Sequence, residues 1–377
     1  MRLNRSFSTD LLSAPPLARS GYRSHEDVRR NALPPWVIHG AFILLACQFA
    51  YYFTILRFQL DAEYGRCTLA QLTTYRADLP FQYRVLTIWI INLLSGFIPP
   101  FHVAEQLWIT QNVPAGIARA AIALEFASVV GALLAFRYYL LQFIRDTLAG
   151  SLMSMSLFLA LPWVYLLPRY APYWAPYDIP ALLITILGLI CLSRKWRAAY
   201  YCVFLVGTFN RETTLVLTLA YALDAFGRER TRTIAMHSLS QFAVWAGVKY
   251  LLFTMYGSNP TEGGSLFEEH LAANLTLLRN PKSYPLFLSA VAIWWLPALA
   301  GYRLIRERFV KRTFLAALPF LGAAMLVGSI LEVRIFGEML AFVLPAGLLG
   351  LRGLMSGDLL DLPSDSRRTS LSATANR

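Results

Sequence analysis

Residues 198–226 read AAYYCVFLVGTFNRETTLVLTLAYALDAF, an apolar run broken near its middle by Asn210-Arg211-Glu212. Arginines bracket it on both sides, Arg194 and Arg197 before it and Arg228, Arg230 and Arg232 after it. Lys and Arg collect in the cytoplasmic loops of membrane proteins, so both ends of this run belong on one side. A single straight crossing takes about 20 apolar residues and changes sides, so it fails the charge rule. Two short half-spans with Asn-Arg-Glu at their outer tip satisfy it. Such a break is tolerated where it lines a protein cavity and not lipid.

The same rule orders the rest of the chain. Its 377 residues are 56% hydrophobic and 15% charged, against about 45–50% apolar and about 25% charged in soluble domains. The apolar residues come in long blocks. This excludes a disordered chain, a disulfide-rich secreted module and most soluble enzymes, and predicts an all-α polytopic membrane protein. Candidate spans are Trp36–Leu56, Ile117–Phe136, Ala149–Leu167, Tyr177–Leu192, Ile234–Tyr256, Leu286–Leu304, Thr313–Leu331 and a short Met339–Leu354. With the broken pair they make about ten crossings. The Arg clusters at 2–30, 137–145, 194–197, 228–232, 303–312 and 352–368 place both termini in the cytoplasm. No cleavable leader precedes the first span.

Apolar Val85–Phe97 is too short to cross and reads as an outer interfacial helix, with Trp89 and Trp108 at headgroup level; Leu266–Leu278 reads as another. The organisation expected is a disordered tail over 1–34, a transmembrane domain over 35–356 and a second disordered tail over 357–377. The net charge of +12 follows from the one-sided loops, and no basic, aromatic-interleaved polar domain points to nucleic acid. Basic residues are nearly all Arg, a usage that suits a GC-rich bacterial genome and hence a bacterial inner membrane. Cys47, Cys191 and Cys202 lie in apolar segments as filler; Cys67 alone falls in a polar loop.

Charges at membrane depth cost about 2.5–3.5 kcal/mol on insertion scales, so polar groups beside the spans are candidates for function. Five clusters gather on the expected outer face. Asp61 and Glu63 follow the first span; a desolvated carboxylate there suits a general base, and its neighbour a metal ligand or orienter. Tyr83 and Arg84, in Pro80-Phe-Gln-Tyr-Arg84, lead into the interfacial helix, where an Arg grips phosphate in two parallel hydrogen bonds. An aromatic lip from Tyr170 ends in Tyr177 and Asp178 at the mouth of a span. The broken pair presents Asn210, Arg211 and Glu212 at its tip. Glu332, Arg334 and Glu338 occupy a turn between the last two spans, with Gly337 as its bend. Glu125 and Lys249 sit inside spans and pair with other polar groups. No phosphate loop, nucleotide-binding glycine pattern or His-rich metal motif is present in the sequence.

These motifs and their layout over roughly residues 35–355 resemble the polytopic GT-C glycosyltransferases, which use polyprenyl-phosphate-linked sugars. The resemblance rests on the acid after the first span, Pro-Phe-x-Tyr-Arg-x-Leu, Tyr-Asp-x-Pro, Asn-Arg-Glu-Thr and Glu-x-Arg-x-Phe-Gly-Glu. It implies transfer from a lipid-linked sugar donor to a saccharide, lipid or protein acceptor on the extracytoplasmic face. Asp61 or Glu63 would be catalytic, and Arg84, Arg211 or Arg334 would hold the lipid phosphate. A divalent metal is possible and no other cofactor is implied. The residues by themselves also allow a transporter or flippase of a lipid-linked or anionic solute, a polysaccharide polymerase, or a non-catalytic scaffold.

Overall fold

The computed structural model describes residues 34–99, 107, 109, 112–166, 173–261, 270–284 and 293–356. Apart from Pro34 the two tails lie outside the described residues, as do Trp108, Tyr170, 262–269 and the start of the span expected at Leu286–Leu304.

The described chain is built from helices. They are α1 (Pro35–Leu60), α2 (Leu69–Thr73), α3 (Leu86–Leu94), α4 (Ala115–Leu140), α5 (Thr147–Ser154), α6 (Ser156–Tyr165), α7 (Asp178–Ser193) and α8 (Arg197–Asn210). They continue as α9 (Val216–Ala225), α10 (Thr231–Tyr256), α11 (Leu271–Arg279), α12 (Ile293–Ala300), α13 (Arg308–Phe314), α14 (Ala317–Val327) and α15 (Leu340–Met355). No strand occurs among the described residues; isolated bridges join Ala62 to Tyr173 and Leu79 to Thr261.

Five helical stretches are long and apolar enough to cross a membrane: α1, α4, α5–α6, α13–α14, and the run from Val333 to Met355. This is the build of a helical membrane protein. Large apolar side chains such as Trp36, Leu44, Leu239 and Tyr250 point outward at 67–74% exposure, an arrangement that lipid tolerates and water penalises. The last span is longer than the sequence predicts. The turn expected at 332–338 is a 3-10 helix, Val333–Met339, that feeds directly into α15. The buried faces of Val333, Phe336 and Met339 hold it in the core, so it is not a solvated bend.

The Val333–Met355 run is buried over most of its length, with Leu351, Arg352 and Met355 exposed at its end, and forms the axis of the bundle. Its closest partner is α12. Between helices in lipid the attraction is van der Waals packing, so small residues let backbones approach. Gly301, just after α12, and Gly350 place backbone against backbone, and a Cβ on Gly350 would sit 2.7 Å from the Pro297 carbonyl oxygen. Gly350→Ala is therefore expected to cost about 1–3 kcal/mol, read as a lower unfolding midpoint in detergent. An unchanged midpoint would show that the seam has slack.

The broken run behaves as a hairpin. Arg211 is extended between α8 and the 3-10 turn Glu212–Leu215. The distal ends of its arms meet again: Arg197 Nη2 donates to Glu229 Oε1 at 2.9 Å, and Tyr201 and Tyr221 both pack against the His237 ring of α10. At the same end His39 of α1 meets Arg137 of α4, Arg194 lies over Tyr138, and Arg308 and Arg312 donate to the Phe226 carbonyl. The loop-flanking arginines Arg137, Arg194, Arg197, Arg308 and Arg312 thus gather at one end of the bundle. At the other end Asn274 clips α11 to the end of α14, donating to the Met325 and Gly328 carbonyls at 2.7 Å each.

Candidate functional site

Opposite the basic end, the carboxyl end of α1, the amino end of α7, the hairpin tip and the Val333–Met339 turn converge. Asp178 is the first residue of α7 and fully buried. A carboxylate there is favoured by the helix N-terminus. Arg334 Nη1 donates to its Oδ2 at 3.1 Å, Arg211 Nη1 stands 3.5 Å from Oδ1, and Arg57 Nη2 lies 3.9 Å from Oδ2. One acid therefore organises three guanidiniums from three separate elements.

Each arginine is shared with a second acid. Arg57 donates through Nε to Asp61 at 3.1 Å and through Nη1 to Glu125 of α4 at 2.6 Å. Arg211 reaches Glu338 at 3.1 Å, and Thr213 donates to the same carboxylate at 2.7 Å. Arg334 donates through Nη2 to Glu332 at 3.0 Å. Arg84 pairs with Glu212 through both Nε and Nη2 and lies over the Tyr177 ring, 4.6 Å from its centre. Arg57 lies over Tyr165 at 5.1 Å, and a Cβ at Gly337 would overlap the Tyr165 hydroxyl. Gly337 is therefore a packing site beneath that ring; it does not serve as a bend.

The group has a deep layer and a rim. Arg57, Asp61, Glu125, Asp178, Arg211 and Glu338 have side chains no more than 5% exposed. Glu212 and Glu332 are 39% and 30% exposed, and each holds an arginine that is nearly covered. Burial costs a charge several kcal/mol unless it is paired and hydrogen-bonded. The deep layer pairs its charges internally but leaves Arg57 Nη2, Arg211 Nε and Glu125 Oε2 buried without a hydrogen-bond partner, while the rim pairs stand where an incoming anion can compete for the arginines. Asp61 lies just beyond α1, 7% exposed. Burial pushes its carboxyl above the ordinary range, against the opposing pull of Arg57 and Arg334 and with a smaller push from Asp178.

Of the residues expected from sequence, Asp61, Arg84, Tyr177, Asp178, Arg211, Glu212, Glu332, Arg334 and Glu338 come together here. Asn210 joins as a brace, donating to the Tyr177 carbonyl at 3.1 Å. Tyr83 flanks Arg84, with its hydroxyl buried and without a hydrogen-bond partner. Glu63 stands apart. It accepts from the Leu69 amide at 2.8 Å and from Asn112 at 2.9 Å, and so ties the loop before α2. Its spacing from Asp61 suggests a pair, but in this extended stretch the two carboxyls take different partners. Cys67 is buried near Arg334, and burial pushes its thiol up to about 12; such a thiol stays protonated and unreactive.

Sequence reasoning missed Arg57. A span drawn to Leu56 leaves it as a flanking arginine, where snorkelling is the ordinary expectation. The helix runs on to Leu60 and buries it completely. Its signal was the acid four residues later, on the same helical face. Among the described residues no three His, Cys, Asp or Glu side chains converge on a metal position. The physical reason is that Asp61, Glu125 and Asp178 each face a guanidinium. The chain matches no protein-family model, no curated protein and no solved structure.

Proposed function

We propose that the acid–arginine end is the active site of a membrane glycosyltransferase that takes its sugar from a polyprenyl-phosphate donor. What carries the reading is Asp61, paired with Arg57 and within the field of Arg334, in a cluster that also holds Arg211 and Arg84, at the end of the bundle away from the loop-flanking arginines. In this reading the basic end is cytoplasmic, both termini lie there, and about ten crossings include the α8–α9 hairpin. The site then faces the outside of a bacterial inner membrane, where lipid-linked sugars are consumed. α3 and α11 lie along the outer interface.

The chemistry follows from charge. The acceptor hydroxyl passes its proton to the Asp61 carboxylate as its oxygen attacks the anomeric carbon. The bond from that carbon to the phosphate oxygen breaks, and the electron pair leaves with the polyprenyl phosphate. Negative charge grows on the phosphate, and pre-placed guanidiniums offset it without reorganising. Arg84 and Arg334 are the grips, because their acids, Glu212 and Glu332, sit at the exposed rim and can be displaced. A single displacement inverts the anomeric centre. A site at helix ends on one side favours this reading over a transporter, which needs its polar site near the midplane.

The test needs only the donor half. Polyprenyl phosphate titrated into the purified protein is expected to bind, and Arg84→Gln and Arg334→Gln are each expected to weaken binding by about tenfold or more. Arg194→Gln, at the opposite end over the Tyr138 ring, is expected to leave binding unchanged. No saturable binding, or equal loss in all three variants, ends the proposal.

A further inference from the structure

The basic end holds a cavity of about 210 Å³ between the distal arms of the hairpin, the end of α7 and the start of α10. Three tyrosines line it, and each meets a protein acceptor: Tyr200 donates to Gln241 Oε1 at 2.8 Å, Tyr221 donates to Glu229 Oε2 at 3.0 Å, and Tyr201 Oη lies 2.8 Å from His237 Nδ1. Tyr200 and Tyr221 spend their hydroxyl protons on these acceptors and keep oxygen lone pairs for a further donor. Asp224 lines it too and is 6% exposed. One of its oxygens pairs with Arg228, while Oδ1 is buried with no hydrogen-bond partner. A carboxylate oxygen left this way costs free energy unless a donor reaches it. The interior thus asks for a group rich in N–H or O–H donors, and the Asp224 carboxylate favours a positively charged one.

The mouth carries the opposite demand. Lys195 and Arg197 stand there, Arg197 with its side chain 61% exposed. Just beyond, α10 presents exposed Met236, Leu239 and Phe242. From this arrangement we propose that the cavity binds a zwitterionic phosphoethanolamine headgroup: the ammonium enters toward Asp224 and the tyrosine hydroxyls, the phosphate meets Lys195 and Arg197, and the acyl chains lie along the apolar face of α10. The position, where four helix ends meet beside lipid-facing residues, selects the phospholipid over the free headgroup. This site is independent of the acid–arginine end and of its proposed chemistry.

Native mass spectrometry of the detergent-purified full chain tests it with three probes: phosphatidylethanolamine, phosphatidylcholine and phosphatidylglycerol. Phosphatidylethanolamine is expected to be retained preferentially, because a quaternary ammonium has no N–H for Asp224 and glycerol brings no positive charge. Asp224→Asn is expected to lower its retention by about tenfold without changing phosphatidylglycerol retention. Lys195→Ala, an exposed change with no folding burden, is expected to weaken phosphatidylethanolamine as well. Competition by soluble O-phosphoethanolamine at equal concentration would support the headgroup chemistry and assign the free compound as its source. Equal retention of the three lipids, or a preference untouched by both variants, overturns the proposal.

Discussion

Asp178→Asn is expected to be the most destabilising near-isosteric change in this protein. The carboxylate faces Arg334, Arg211 and Arg57 at 3.1, 3.5 and 3.9 Å and is fully buried. Asparagine keeps the shape and one acceptor but removes the charge that three guanidiniums share. Deleting one partner of a buried ion pair costs about 3–5 kcal/mol, because the remaining charge is stranded. Here three charges lose a common partner, although Glu125, Asp61, Glu338 and Glu332 still hold each arginine from its other side. The variant should accumulate poorly in membranes and unfold well below the parent in detergent. Glu63→Gln is the comparison. Its loop hydrogen bonds survive in part, and its effect should stay within about 1 kcal/mol. Parent-like stability of Asp178→Asn would remove Asp178 as the keystone.

Asp61→Asn should do the reverse, keeping the fold and losing the reaction. Burial already disfavours the Asp61 charge, so a neutral isostere relieves a cost, and Arg57 retains Glu125 and Asp178 as partners. If Asp61 is the base, sugar transfer should fall by about 10²–10⁴-fold with the unfolding midpoint preserved. The parent enzyme supplies a second readout. The base works ionised, so activity should rise as pH climbs through the Asp61 pKa and fall below it. Because burial raises that pKa, the limb should lie above the ordinary carboxylate value of about 4. A rate independent of pH between about 4 and 7, or full activity in Asp61→Asn, would assign the base elsewhere.

The elements read best from sequence are those governed by local pattern. The broken run 198–226 was legible because charge brackets it and Asn-Arg-Glu interrupts it, and its arms do return to meet at Arg197 and Glu229. The rest failed where apolar periodicity stops carrying information. An apolar pattern ends a span at its last apolar residue, Leu56, whereas the helix continues to Leu60 and carries Arg57 into the core. The stretch 332–338 was read as a turn because three charges in seven residues look solvated. In the structure each of those charges has an opposite charge brought by another part of the chain or by a near neighbour, and Glu338 is 1% exposed. Asp61 and Glu63 are two residues apart in one loop, yet Asp61 pairs with Arg57 and Glu63 accepts from the Leu69 amide.

Composition and block length alone determined that the chain is a helical protein of apolar segments, and the arginine clusters determined that the loops at 137, 194–197 and 308–312 share an end. Those are properties of short windows, set by the cost of placing side chains or charges in lipid. Only the tertiary structure decided that Arg57, Asp61, Glu125, Asp178, Arg211, Arg334 and Glu338 form one network, because the pairing partners are up to 156 residues apart and no local pattern records which helix ends will meet. A buried charge must find its opposite wherever packing brings one, and packing is a property of the whole bundle.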